Sequence, residues 1–147
     1  MDETIAETNI IEELHNHTFA GVYVNKNTDE VHFLRYDGVV VSLTHVQDCC
    51  ESVTLESVVG DVNDLVGQPL LVAEERISHP VHDKPRCDSE TYTFYAFRTV
   101  KGSVDIRFIG SSNGYYSERV DVIKFIPKDF FATWSELYQG KYHAPVR

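Results

Sequence analysis

The feature that most constrains the fold is the alternation of apolar and polar side chains along residues 91–112, which a Lys101-Gly102 pair interrupts once. In "TYTFYAFRTV" and "SVDIRFIGSS" most alternate residues are aromatic or branched, which is typical of strands with one buried face. A two-residue Lys-Gly turn would place Arg98 opposite Asp105 on a polar face. The pattern therefore predicts an antiparallel hairpin that packs on a core through its other face.

Several other segments have strand character. Branched and aromatic residues dominate residues 21–25, 52–59 and 70–77. The Asp37-Gly38 pair between two such runs is a strong hairpin signal, and a two-residue loop there would set Leu34 opposite Val41.

A third strand, within residues 115–125, is predicted to continue the meander after Asn113-Gly114. We expect a three-residue loop with a bulge at Gly114, because this parity puts Val120 and Val122 on the core face. A plain two-residue loop would put their charged neighbours there.

Helical signals are short and lie mainly at the two ends of the chain. Residues 1–18 form an acidic arm or a short helix, and Asp61 and Gly67 suit the N-cap and C′ positions of one helical turn. After Pro127, apolar residues spaced three and four apart predict an amphipathic helix over residues 127–140 that packs on the sheet. With a β core over residues 20–125, the predicted class is α+β, mostly antiparallel β, as a curved sheet or small barrel.

The length and charge of the chain limit the number of domains it can form and the kinds of partner it can bind. Its 147 residues fit a single domain, 1–147, and no apolar run is long enough to span a membrane. Of the net charge of −10, residues 1–25 contribute five acids and no Lys or Arg, so direct nucleic-acid binding is not expected. The acidic N-terminus does not resemble a secretory signal, and three cysteines are an odd number, so we expect reduced thiols in a cytosolic setting.

The stretch "HVQDCCE" at residues 45–51 concentrates reactive side chains. Adjacent cysteines seldom bond to each other, and neighbours in a strand point to opposite faces. We therefore expect at least one of Cys49 and Cys50 to be buried. Asp48 is expected to cap a turn by accepting backbone N–H groups, with His45 and Glu51 bonded nearby.

Two reactive alternatives remain open for this stretch. No cofactor is the first expectation, but thiols and imidazoles also suit zinc, whose ligands would come from His45, Cys49, Cys50, His79, His82 and Cys87. A thiol-dependent enzyme would use His45, Asp48, Cys49 and Glu51.

A second candidate site is the "SSNGYYSE" turn. Its two tyrosines offer flat surfaces with hydroxyl groups, which suit stacking on a base or contact with a protein, unless Tyr116 simply packs at a strand end. Three arginines are expected to cluster on one sheet face and hold a phosphate or carboxylate, unless they form solvated cross-strand pairs. The predicted ligand- or partner-binding residues are His45, Gln47, Arg98, Arg107, Asn113, Tyr115, Tyr116, Glu118 and Arg119.

Three blocks of the chain resemble a domain found in many tailed-phage proteins of unknown function. They are an H-x-Q-D-C-C-E stretch at His45 to Glu51, a G-D-x-x-D-L-x-G-x-P segment at Gly60 to Pro69 and an S-N-G-Y-Y-S-E turn at Ser112 to Glu118. The resemblance implies no activity. It implies a context, in which a phage accessory protein acts in the host cytoplasm and binds a host factor or its nucleotide signals.

Two functional hypotheses follow. The first is a phage-encoded accessory binding protein without catalysis, monomeric or homodimeric, that serves host takeover or anti-defence. It would sequester a small anionic, nucleotide-like ligand or block a host protein. The alternative is a metal- or thiol-dependent hydrolase centred on residues 45–51.

Overall fold

A computed structural model describes residues 3–80 and 89–126 as a nearly all-β domain. The predicted helix over residues 127–140 lies outside these residues. The elements within them are β1 (Glu3–Thr8), α1 (Ile10–Glu13), β2 (Gly21–Asn25), β3 (Glu30–Leu34), β4 (Val40–Thr44), β5 (Ser52–Val59), a 3₁₀ turn (Val62–Leu65), β6 (Val72–Ser78), β7 (Ser89–Thr99), β8 (Gly102–Ser112) and β9 (Asp121–Ile126).

The strands form two antiparallel sheets that share one core. The five-stranded sheet has the order β1-β9-β4-β3-β2, and the four-stranded sheet has the order β5-β8-β7-β6. Fully buried aromatic rings join them, since Phe33 of β3 meets Phe97 of β7 edge-to-face at 5.3 Å. The prediction of a mostly antiparallel β fold is confirmed, and the described strands make two open sheets instead of a closed barrel.

The N-terminal segment differs from its prediction. Residues 3–8 form β1, which pairs with β9, and only the four residues of α1 are helical. Asn9 caps this short helix by accepting the Glu12 N–H at 2.9 Å. Pairing with a strand from the far end of the chain outweighs a weak local helical pattern, because a four-residue helix has little stability of its own.

Both predicted hairpins exist, but their strand registers differ from the predicted registers. Leu34 pairs with Val40, and the Arg35 N–H donates to the Val39 carbonyl at 2.9 Å. Asp37-Gly38 therefore lies in a three-residue loop, 36–38, instead of a two-residue one, with Gly38 at φ +92°. In the second hairpin Arg98 pairs with Ser103, because the two-residue loop is Val100-Lys101. The predicted faces of the β7–β8 hairpin survive, since its register moved by an even number of residues.

The predicted third strand of the meander exists as β9, but the prediction that it pairs with β8 is wrong. β9 starts at Asp121 and pairs with β4 and β1 in the other sheet, so no bulged β8–β9 hairpin forms at Gly114. Its predicted core residues are correct, since Val120 and Val122 are each 5% exposed. Alternation identifies the buried face of a strand but not the neighbour with which the strand pairs.

The predicted helical turn between β5 and β6 is confirmed. Asp61 is its N-cap and accepts the Asn63 N–H at 2.9 Å, and Gly67 follows the C-cap residue. The Thr99 hydroxyl donates to the Asp64 carbonyl, which ties this turn to the end of the β7–β8 hairpin. Among the described residues no helix has the length and apolar character needed to cross a membrane.

Candidate functional site

Two segments that carry the chain from one sheet to the other lie side by side at one end of the domain. Residues 45–51 (the first crossover) lead from β4 to β5, and residues 113–120 (the second crossover) lead from β8 back to β9. They are joined by a 2.7 Å hydrogen bond from His45 Nδ1 to the Arg119 carbonyl. The Val46 N–H also donates, at 2.9 Å, to Oδ2 of Asp121, the first residue of β9. The blocks that stood out in the sequence thus meet in space.

The first crossover is organised around the carboxylate of Glu51, whose side chain is inaccessible to solvent. Its Oε2 accepts from His45 Nε2 at 2.7 Å and from the Asp48 N–H at 2.8 Å, and its Oε1 accepts the Cys49 N–H at 2.9 Å. Since the Arg119 carbonyl and the carboxylate are both acceptors, the two contacts of His45 are satisfied together when both ring nitrogens carry a proton.

These contacts change the acidity of Glu51. The hydrogen bond from His45, followed by those from the backbone N–H groups of Cys49 and Asp48, lowers the pKa of Glu51 to about 2 from its ordinary value of 4.5. A carboxyl group whose pKa is depressed by folding stabilises the native state above its unfolded pKa, and this contribution is lost as the pH falls.

We therefore expect Glu51→Gln to lower the melting temperature at pH 7 and to flatten its decline between pH 4.5 and about 2, the window set by the two pKa values. Thermal unfolding measured across this range tests the prediction. Asp48→Asn, a matched change of the exposed acid in the same segment, should leave the profile close to that of the parent chain. Equal flattening in both variants would contradict the assignment of the acid-sensitive group to Glu51.

Asp48 was expected to hold the turn, and the structure gives that role to Glu51. The side chain of Asp48 lies at the surface, whereas its N–H donates to Glu51. Gln47 closes the loop from the other side, because its Nε2 donates to the Glu51 carbonyl at 2.7 Å and to the Cys49 carbonyl at 3.3 Å. The expected bond between His45 and Glu51 is present.

Cys49 and Cys50 contradict two expectations. They form a disulfide with each other, and both residues are exposed. They lie in a bend between β4 and β5 instead of in a strand, so the alternation that would bury one of them does not apply. A nucleophilic role for Cys49 would first require reduction, because a thiolate is the attacking species.

The second crossover is held by another buried carboxylate, that of Glu118. It accepts hydrogen bonds from the hydroxyls of Ser89, Thr91 and Ser112, and Thr91 in turn accepts from His79 Nδ1 at 3.1 Å. Burial raises the pKa of Glu118, but the three hydroxyl bonds outweigh burial and leave its pKa below the ordinary value. The crossover lies so close to β8 that a Cβ added to Gly110 would be 2.5 Å from the Glu118 carbonyl oxygen.

The tyrosines of the second crossover lie near the surface. Tyr115 is 82% exposed, whereas Tyr116 is partly buried, and their rings meet edge-to-face at 4.9 Å. The side chain of Asn113 accepts the Tyr115 N–H at 3.0 Å and so shapes the turn. Of the binding residues predicted at this end, His45, Gln47, Asn113 and Glu118 form the loops, and Tyr115 is available for contact.

The three candidate arginines do not form one cluster. Arg98 and Arg107 lie on the outer face of the four-stranded sheet, because β7 positions 94, 96 and 98 pair with β8 positions 107, 105 and 103. Arg119 belongs to the second crossover and pairs with Asp121 at 3.3 Å and with Glu7 at 3.7 Å. The predicted cross-strand alternative holds for Arg107, whose terminal nitrogen pairs with Glu56 on the adjacent strand β5.

The outer face of the four-stranded sheet carries a groove of about 780 Å³. Its lining includes Arg76, Arg98 and Arg107, together with Glu74, Glu75 and Asp105, around the half-buried ring of Phe94. The guanidinium of Arg76 lies 5.7 Å from the centre of that ring. Sequence reasoning missed Arg76 and Phe94, although the strand parity that placed Arg98 on the polar face also places Phe94 there.

The residues proposed as zinc ligands are only partly described. His82 and Cys87 lie outside the described residues, and His79 donates to Thr91. Both ring nitrogens of His45 are engaged, and the sulfurs of Cys49 and Cys50 are bonded to each other. Within residues 3–80 and 89–126 no three His, Cys, Asp or Glu side chains are grouped in a way that would hold a metal ion.

Comparisons with known proteins give this architecture a family but no activity. Searches of curated proteins and of solved structures find no match to this chain. Residues 10–122, which include both crossovers and end at the second residue of β9, match the family described as Domain of unknown function (DUF7448). Because this match covers more than half of the sequence, the chain belongs to that family.

Proposed function

We propose that this chain is a non-catalytic binding protein and that its ligand site is the groove on the outer face of the four-stranded sheet. The observation that carries the proposal is a pair of arginines with unused donors. Among the described residues Arg98 has no side-chain partner, and Arg107, although one terminal nitrogen pairs with Glu56, keeps a buried Nε without an acceptor. A buried donor without an acceptor costs free energy, and an anionic ligand would supply the acceptor.

The groove suits a ligand that combines an anionic group with a flat ring. Phe94 and the neighbouring Tyr92 offer aromatic surface, and Ala96 leaves a shallow floor between Phe94 and Arg98. Glu74 and Asp105 flank Ala96 on the adjacent strands, where they would accept amino groups of a heteroaromatic base. A nucleotide carries each of these features.

The size of the groove supports a small ligand. Ligand pockets commonly measure about 300–1,000 Å³, and this groove of about 780 Å³ falls within that range. Arg98 and Arg107 are separated along the strand direction by four residues, or roughly 13 Å, so a ligand that meets both would extend across the floor. The net charge of −10 opposes longer nucleic acids, which carry many phosphates.

The biological setting of this proposal follows the resemblance to tailed-phage domains. In that setting the protein acts in the host cytoplasm, as a monomer or homodimer, and sequesters a nucleotide-like signal during host takeover or anti-defence. Masking of a host protein is the second form of the same function, and the exposed ring of Tyr115 favours it as a contact residue.

Isothermal titration of the full chain with nucleoside monophosphates and diphosphates tests the proposal. We expect binding that Arg98→Ala weakens by about 10- to 100-fold, because a hydrogen bond to a charged group contributes about 1.5–3 kcal/mol. Arg119→Ala removes the same charge at the other site and should leave the affinity within about threefold, a difference below 1 kcal/mol.

The remaining outcomes separate the two forms of the function. A host protein captured by the parent chain, lost with Tyr115→Ala and kept with Arg98→Ala, would favour masking over sequestration. The absence of nucleotide binding at millimolar concentration would refute the groove as the ligand site. Binding that Arg98→Ala and Arg119→Ala weaken equally would also refute it.

A further inference from the structure

The disulfide between Cys49 and Cys50 has none of the features of a structural crosslink. A disulfide stabilises a fold mainly by closing a loop of the unfolded chain, and the effect grows with the length of that loop. These two cysteines are adjacent, so their bond encloses no intervening residue. Both are also exposed, so the bond does not fill space in the core.

The backbone around the pair is held by other groups. Glu51 accepts the N–H groups of Asp48 and Cys49, and Gln47 donates to the carbonyls of Cys49 and Glu51. His45 Nε2 donates to Oε2 of Glu51 at 2.7 Å and holds the carboxylate in place. None of these hydrogen bonds involves a sulfur atom, so the first crossover can keep them whether or not the two sulfurs are bonded.

We propose that Cys49 and Cys50 form a thiol–disulfide exchange site that reacts with a dithiol reductant. A thiolate of the reductant attacks one of the two sulfurs, the bond between Cys49 and Cys50 breaks, and a mixed disulfide forms. The second thiol of the reductant then displaces the remaining cysteine. In sum the pair gains two electrons and two protons and becomes two thiols, while the reductant becomes a disulfide.

Exposure is the property that makes this exchange possible in the folded protein. A reductant must reach a sulfur along the line of the bond that it breaks, and buried disulfides are protected from such attack. The exposed side chain of Val46, in the same crossover, adds apolar surface on which a protein reductant would dock. The reduced form presents two neighbouring thiols in place of one closed ring.

The experiment uses the full chain with Cys87→Ser, which leaves only Cys49 and Cys50 as cysteines. After equilibration with oxidised glutathione and removal of the reagent, intact mass following treatment with N-ethylmaleimide should show no label. After dithiothreitol without denaturant it should show two labels. Titration in dithiothreitol redox buffers should give one two-electron transition, and circular dichroism should show the same β content in both forms.

Two single-cysteine variants show whether the change in the number of labels comes from the bond between Cys49 and Cys50. Cys49→Ser and Cys50→Ser, each in the Cys87→Ser background, should carry one glutathione and no label after oxidised glutathione, and one label after dithiothreitol. Two labels on the glutathione-equilibrated parent would overturn the proposal, because the pair would then not oxidise in the folded protein. Labelling that appears only after unfolding would also overturn it, because the pair would then be inaccessible to a reductant. The proposal is independent of the groove, since nucleotide binding does not enter either readout.

Discussion

Phe33→Ala is expected to lower the free energy of unfolding by about 3–5 kcal/mol, the range observed when a buried aromatic ring is removed without collapse of the cavity. Phe33 is fully buried and meets Phe19 and Phe97 edge-to-face, each at 5.3 Å. Its ring therefore joins the five-stranded sheet to the four-stranded sheet. Urea unfolding followed by circular dichroism measures the change.

Tyr36→Ala is the matched control for this core substitution. Tyr36 lies in the loop that follows β3 and is 69% exposed, so its removal should change the free energy of unfolding by no more than about 0.5 kcal/mol. A loss below about 1.5 kcal/mol for Phe33→Ala would contradict the aromatic contact as the main link between the sheets.

Glu118→Ala is the second substitution from which we expect a large effect, a loss of about 3 kcal/mol, because hydrogen bonds to a charged group contribute about 1.5–3 kcal/mol each and these three are not independent. The hydroxyls of Ser89, Thr91 and Ser112 would lose their common acceptor. The second crossover would then be free to move away from β8. Amide hydrogen exchange of residues 113–120 should accelerate with the loss of stability.

Glu74→Gln provides the control for charge. Glu74 is exposed on β6, and its change should alter stability by no more than about 0.5 kcal/mol. Glu118→Gln should fall between the two, because the amide keeps one acceptor oxygen. A Glu118→Ala variant as stable as Glu74→Gln would show that the hydroxyl network does not hold the crossover.

The strands and their faces could be predicted from the sequence, but the pairing between distant strands could not. Alternation placed Val120 and Val122 in the core correctly, and the boundaries of residues 52–59 match β5. Alternation could not show that β9 pairs with strands of the other sheet and not with β8, because the side chains of a strand alternate in the same way whichever strand it pairs with. Asn113-Gly114, a hairpin signal in isolation, instead begins a crossover.

The position of the candidate site could be predicted from the sequence, but the role of each residue within it could not. Residues 45–51 and 112–118 were both singled out, and the structure joins them through His45 and Arg119. Which acid would be buried depended on where the backbone bends, and Glu51 took the role that the pattern assigned to Asp48. The cysteine pair was misjudged for the same reason, because a bend lacks the alternation of a strand.

The position of β9 has a consequence for how the chain is made. β9 lies between β1 and β4, so β1 has no partner in the sheet until the chain has been extended to residue 126. Until then the edge of β4 that β9 will cover is open to other chains. Contacts between residues so far apart in sequence slow folding. The nascent domain therefore remains incomplete until its last described strand leaves the ribosome, and the period before this is when it is most exposed to aggregation and proteolysis.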